Sequence, residues 1–241
     1  MIPRSIILAA GTSKRLGDLT RTVPKCLLAI GTTTILDLQI RTLRDAGISD
    51  ITIVTGFCDE QVRRHCGPSC AYVLNDMYDR TNSIYSLWLA LRERRGAVVV
   101  LNSDVVFHPG ILRALLDADA PDALAISFQD GLGVEEMKVR VHEGRIVDIR
   151  KDMDPAEAHG ENVGLVKFSA PGAEALFAAA DELVRAGVVR AWAPRAFQEL
   201  CRTRALAAVA TAGLPWIEID FPEDLERARR EVYPAIRRDG A

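Results

Sequence analysis

A cluster of small and cationic residues near the start of the chain has the composition of an anion site. Ile6-Ile-Leu8-Ala9-Ala10 is a short apolar run that breaks into Gly11-Thr12-Ser13-Lys14-Arg15-Leu-Gly17, and Pro24-Lys25 follows. Small residues let a backbone approach a ligand closely, and successive free N–H groups form an anion-binding nest. Lys14, Arg15 and Lys25 place three positive charges around that nest. The chemistry this allows is polyphosphate binding. The dinucleotide fingerprint would need glycine where Ser13 and Leu16 stand, and a P-loop would need Gly-Lys-Ser/Thr at a spacing that is absent. The competing reading is an ordinary strand-to-helix connection with a solvated basic face.

Two acidic positions complete a possible phosphate site. Asn102-Ser103-Asp104 directly follows the apolar run Ala97-Val-Val-Val-Leu101. In open α/β sheets ligands bind beyond the carboxyl ends of the strands, so Asp104 points toward the site opened by the glycine loop. A carboxylate beside a polyphosphate repels it unless Mg²⁺ lies between them. Asp104 as a turn residue before a helix starting at Pro109 is the alternative. The second position is Asp220, in Trp216-Ile-Glu218-Ile-Asp220-Phe-Pro222-Glu223. There Asp-x-x-Glu with Pro222 in the first turn also reads as a capped helix start that needs no metal.

These residues require a particular scaffold. Strand runs at 6–10, 51–55, 72–74, 97–102 and 124–128 alternate with helical patterns such as Ile35 to Ala46, which Gly47 closes. Leu27–Ile30 reads as a further short strand. Alternation at these intervals implies a parallel sheet with right-handed crossovers. The expected fold class is α/β: Rossmann-like, with a mostly parallel central sheet and flanking helices. Glu136–His142, a Glu143-Gly144 turn and Arg145–Ile149 read as a β-hairpin. Ser83 is expected to cap the helix through Ile84, Leu87 and Leu91, and Ser169 with Pro171 begins another to about Arg185.

The 241 residues are 49% hydrophobic, enough for one large domain. A formal net charge of −3 gives no basis for nucleic-acid or membrane-surface binding. No run approaches a membrane span in length, the first apolar run is too short for a signal peptide, and a cytoplasmic protein is expected. Cys66-x-x-x-Cys70 beside His65 is half of a zinc pattern without a second pair, so the five cysteines are expected to be reduced thiols.

Leu8-Ala-Ala-Gly-Thr-Ser-Lys-Arg-Leu16 followed by Pro24-Lys25-Cys-Leu-Leu resembles the signature loop of the nucleotidyltransferases that activate sugar phosphates and related alcohols. Ser13 stands where many members carry glycine. Asn75-Asp-Met-Tyr78 with Asn82-Ser83-Ile-Tyr85-Ser-Leu is similar to the phosphocholine and aminophosphonate cytidylyltransferases within that superfamily. Gly160-Glu161-Asn-Val-Gly164 and Trp216-Ile-Glu-Ile-Asp220 resemble two further family segments. The resemblance implies one nucleotidyltransferase domain over 1–241, with an acceptor-binding hairpin inserted at about 130–160. It implies Mg²⁺ held by Asp104 and Asp220, and Lys25 and Arg15 as the catalytic cations. Leu8 to Arg15, with Asn82 and Ser83, would bind the nucleotide. Tyr85, Lys138, Lys151, Glu161, Trp192, Arg195, Trp216 and Glu218 would line the acceptor pocket.

The expected reaction is CMP transfer from CTP to a small phosphate or phosphonate, phosphocholine and 2-aminoethylphosphonate included, with release of pyrophosphate. A sugar-1-phosphate thymidylyl- or guanylyltransferase and a nucleotide-sensing module are the alternatives. Trp192, Trp216, Tyr78 and Tyr85 would suit a trimethylammonium group, whereas Lys138, Lys151 and Arg195 would suit an anionic acceptor. The expected assembly is a monomer or homodimer.

Overall fold

The computed structural model describes residues 2–129 and 131–239. In chain order its first half runs β1 (Arg4–Leu8), α1 (Ile35–Asp45), β2 (Ile51–Thr55), α2 (Asp59–Cys66), β3 (Ala71–Leu74), α3 (Ser83–Glu93) and β4 (Val98–Asn102). Then come β5 (Val105–Phe107), α4 (Pro109–Asp117), β6 (Ala123–Phe128), β7 (Lys138–His142), β8 (Arg145–Arg150) and β9 (Gly160–Phe168). The chain ends with α5 (Ala170–Arg185), α6 (Pro194–Cys201), β10 (Ala207–Ala210), β11 (Trp216–Glu218), α7 (Pro222–Arg227) and α8 (Tyr233–Asp239).

Nine strands form one sheet in the order β3-β2-β1-β4-β9-β6-β10-β8-β7. The first four are parallel, and β1 and β2 are buried along their whole length, as strands covered on both faces must be. Helices α3, α5 and α6 cover one face through Leu87, Leu176 and Phe197, while α1, α2 and α4 cover the other through Leu36, Leu43, Val62 and Leu112. The sheet is mixed because β9 runs antiparallel to both β4 and β6. Apolar runs do not encode strand direction, so this reversal was not readable from composition.

The hairpin β7–β8 turns on Glu143 and Gly144, whose φ values of 48° and 74° are those of the tight turn that matches strand twist. It is joined to the main sheet rather than set apart from it. β8 bridges β10 at Ala207, and β7 pairs back onto β9 through Lys138↔Glu161 and Val139↔Gly160. Residues 27–30, expected as a strand, instead form a 3-10 turn at Lys25–Leu27 and a single bridge between Ala29 and Thr34. The Leu28 N–H is taken by the Lys25 carbonyl and the Ile30 N–H by the Thr33 carbonyl, so this segment closes local turns instead of pairing with a strand of the sheet.

Three features of this frame locate the site. The register Leu8↔Asn102 sets the loop after β1 beside the turn after β4. The pair β5–β11 aligns Val105 with Glu218, bringing residues 218–220 alongside Asp104. A third apolar cluster, including Leu16, Ile30, Ile35, Ile219, Leu225 and Tyr233, anchors the glycine loop and the acidic C-terminal segment to one another.

Candidate active site

The strand ends build a cavity of about 240 Å³. Its floor is a charge cluster. Lys25 is buried, and its Nζ lies 2.8 Å from Asp104 Oδ2 and 3.0 Å from Asp220 Oδ1 and donates to the Ile219 carbonyl at 2.6 Å. Burial lowers the lysine's pKa, but the two carboxylates outweigh it and the net shift is upward, so Lys25 is a fixed cation. Asp220 is held below the usual carboxylate range: burial opposes ionisation, and Lys25 and Arg15 overcome it. Ligand oxygens of Asp104, Glu218 and Asp220 all lie within 4.8 Å of one another. Burial, then repulsion from Asp104 and Asp220, pushes the Glu218 carboxyl up to about 8.

Asp220 reaches the cluster because it does not cap α7. That capping is done by Asp224, whose carboxylate accepts the Asp220 and Phe221 N–H groups at 3.0 and 2.8 Å. The sequence pattern of a capped helix is therefore present, displaced to a different acid.

One wall is the glycine loop. Leu8, Ala9, Ala10, Gly11, Ser13 and Arg15 line the cavity, whereas Thr12 and Lys14 lie on the loop outside its wall. None of the N–H groups of Gly11, Thr12 and Ser13 donates to another described residue. Ser13 sits at φ 50°, in the left-handed region where glycine is least strained, which explains why glycine suits this position. Arg15 forms ion pairs at 2.6 Å with both Asp220 and Glu135 and stacks over the Phe221 ring at 5.1 Å.

The opposite wall carries Asn75, Tyr78, Thr81, Asn82, Ser83 and Ser86, with Met137, Lys151, Asn162, Trp192 and Pro194 toward the hairpin. Asn82, not Ser83, caps α3, its side chain accepting the Ser83 N–H at 2.7 Å. The Ser83 hydroxyl instead accepts the Ala193 N–H at 2.8 Å and thereby docks the Trp192 segment on the cavity. Asn75 is buried and donates to Thr81 and Ser86 hydroxyls at 3.1 and 3.0 Å, which shapes this wall from behind.

Of the residues expected at an acceptor pocket, Lys151, Trp192 and Glu218 line the cavity, Glu218 as part of the acidic cluster. Four others do not. Tyr85 packs on Trp88 with ring centres 5.3 Å apart, and Trp216 pairs with Phe107 across β5–β11 against the apolar core. Arg195 is engaged by Glu199 and Gln198 on its own helix. Lys138 is buried and donates to the Lys151 carbonyl at 2.7 Å, so it supports Lys151 rather than facing the cavity. Each of these side chains finds its partner locally, which spacing along a chain does not reveal. Tyr78, weighed above for an ammonium group, lines the cavity, and so do Asn75, Asn102, Met137 and Asn162, which carry no expected role above. Asn75, Tyr78 and Asn162 lie inside the family-like segments, and that was the available signal.

Glu161 also lies off the cavity, opposite Lys138 in the sheet, with its carboxylate accepting from Gln129 Nε2 at 3.0 Å. Burial, then the negative charge of Glu136, pushes its carboxyl from an ordinary 4.5 up to about 7. A raised native pKa means that the folded protein binds the extra proton between those values, so stability is present below them and lost as pH rises through 7. Relative to Glu161→Gln, the native protein is expected to lose on the order of 2 kcal/mol between pH 5 and pH 8. Urea unfolding at both pH values checks this; parallel curves for the two proteins would contradict it.

The five cysteines are free, and burial raises the thiols of Cys26 and Cys66 to about 12. Among the described residues, the acidic cluster is the one group with three potential metal ligands. No helix among the described residues is long and apolar enough to cross a membrane.

Residues 5–218 match the MobA-like NTP transferase domain. A bifunctional IPC transferase and DIPP synthase of Rubrobacter xylanophilus is 30% identical over 97% of this chain and 53% of its own length. The chain thus spans about half the length of the bifunctional relatives it matches. A 2-aminoethylphosphonate cytidylyltransferase of Lancefieldella rimae is 30% identical over 71% of this chain and 69% of that protein. The solved CTP:phosphocholine cytidylyltransferase of Streptococcus pneumoniae has the same fold, with a TM-score of 0.79 at 23% identity over 95% of this chain and 98% of that one.

Proposed function

The chain belongs to the MobA-like NTP transferase family, and from that premise we propose that it transfers the cytidylyl group of CTP to a small phosphomonoester or phosphonate. The observation that carries the reading is the placement of Lys25 between Asp104 and Asp220 on the floor of a cavity walled by the glycine loop. An oxygen of the acceptor's phosphate or phosphonate attacks the α-phosphorus in line. The bond to the bridging oxygen breaks, and pyrophosphate leaves. The attacking oxygen is already ionised near neutral pH, so no general base is needed. The glycine-loop N–H groups and Arg15 hold the outgoing phosphates, while Lys25 neutralises charge at the α-phosphate.

The acidic cluster fits the Mg²⁺ that such a reaction uses. Asp104 Oδ1 is buried with no hydrogen-bond partner among the described residues, and oxygens of three acidic side chains lie within 4.8 Å of one another. Asp104, Asp220 and Glu218 would hold the ion, which when bound supplies charge neutralisation at the phosphate oxygens.

The acceptor end supports an uncharged or anionic body rather than a cationic one. Trp192 is the aromatic residue best placed for an ammonium group, but Lys151 Nζ lies 4.9 Å from its ring centre. A trimethylammonium group at that ring would meet the chain's own cation. Lys151, which also pairs with Glu135 at 3.6 Å, would meet an anionic oxygen of the acceptor. The reading is tested by pyrophosphate release with Mg²⁺, crossing CTP, UTP, GTP, ATP and dTTP against five acceptors. These are inositol-1-phosphate, a carboxylated phosphonate, phosphocholine, 2-aminoethylphosphonate and glucose-1-phosphate. CTP is expected to be the donor, with the first two acceptors favoured over phosphocholine by about tenfold or more. Turnover only with glucose-1-phosphate and dTTP, UTP or GTP would overturn the cytidylyl reading.

A further inference from the structure

A buried amide holds the acid-bearing turn from behind, and we infer that Gln39 is the positioning residue for Asp104. Gln39 lies on α1, fully buried, and its Nε2 donates to the Asn102 and Val105 carbonyls at 2.8 Å each. Those carbonyls close β4 and open β5, so only Ser103 and Asp104 lie between the two points of attachment. Both partners are pure acceptors, which fixes the orientation of the amide: only its NH₂ can serve them. The rest of the turn is pinned by backbone. Ser103 N–H donates to Leu8 at 3.3 Å, and the Asp104 carbonyl accepts from Ile219 N–H at 3.0 Å.

Gln39 is not a packing residue in the ordinary sense. It stands among Leu36, Ile40 and Leu43 on the buried stripe of α1, where leucine or methionine would fill the space without a polar atom. Its Oε1 is buried without a partner among the described residues, a cost that an apolar residue would avoid. The compensation is the two donors and the turn they fix. Gln39 does not line the cavity, so it acts through Asp104 and not on substrate.

The inference rests on Asp104 holding a divalent cation, and the experiment separates the two. Mn²⁺ binding to the full chain is measured without nucleotide, by electron paramagnetic resonance, for wild type, Gln39→Met, Gln39→Glu and Leu43→Ala. Leu43 is fully buried on the same helix, is not a cavity-lining residue and makes no side-chain hydrogen bond, so its variant reports loss of packing. Both Gln39 variants are expected to weaken Mn²⁺ binding about tenfold, and Leu43→Ala to leave it unchanged whatever it does to the melting temperature. Glutamate keeps the shape, loses the donors and adds a negative charge that by itself would favour the cation, so weakening in that variant points to geometry. Either Gln39 variant that folds decides the matter. Binding within twofold of wild type, or equal weakening by Leu43→Ala, would overturn the role. A wild-type chain that binds no Mn²⁺ would overturn the metal reading and the inference with it.

Discussion

Lys25→Met is expected to lower turnover by about a thousandfold and to make folding depend on divalent cations. Among the described residues, Lys25 is the one cation that touches both acids at the cavity floor, with a side chain only 10% exposed. In the proposed reaction it neutralises charge that grows at the α-phosphate, and methionine keeps its volume while removing that charge. The same substitution leaves Asp104 without its cation and Asp220 with Arg15 alone. Breaking a buried pair in this way costs about 3–5 kcal/mol, and partial exposure of the acids, near 20%, brings the expected loss to roughly 2–4 kcal/mol. Mg²⁺ has the charge to replace the lost ammonium, so the variant is expected to regain stability on adding Mg²⁺ to a far greater extent than wild type. Pyrophosphate release measures the first effect, and urea unfolding in EDTA and in Mg²⁺ measures the second. Turnover within tenfold of wild type, or an unchanged response to Mg²⁺, would contradict the role given to Lys25.

Much of this arrangement was legible because strand ends are marked by abrupt changes in composition. Ile6–Ala10 breaks at Gly11 and Ala97–Leu101 at Asn102, and adjacent parallel strands bring those breaks together. The acidic partner Asp220 lies more than a hundred residues from Asp104, and no local pattern joins them. The pairing of β5 with β11 does. Side-chain direction was harder to read than strand position. Lys138 and Lys151 look equivalent as hairpin cations, yet one lies in the sheet interior and supports the backbone of the other. Trp192 and Trp216 likewise look equivalent. The first is held over the cavity by the Ser83 hydroxyl, and the second is committed to the core. Gln39 left a faint mark, a polar residue inside the apolar stripe of a helix, but its partners are carbonyls, and those carry no sequence signature.

Asp220 and Asp224 offer the sharpest separation of structure from chemistry in the molecule. They lie four residues apart and share one helix start, yet their carboxylates do different things. Asp224 accepts the two N–H groups that open α7, whereas Asp220 meets Lys25 and Arg15 and lies with Asp104 and Glu218. Asp220→Asn keeps the shape and removes a charge shared by two cations and the proposed metal site. Turnover is therefore expected to fall by about three orders of magnitude, with the apparent Mg²⁺ requirement raised. Asp224→Ala is expected to cost about 1 kcal/mol of stability through loss of the cap and to change turnover only a few-fold. Measuring pyrophosphate release against Mg²⁺ concentration, together with urea unfolding, places both variants on two axes. If Asp224→Ala lost turnover as severely as Asp220→Asn, the helix start itself would be the functional element. If Asp220→Asn lost stability alone, the acid would be a structural partner of Lys25 and the acidic cluster would have no part in the reaction.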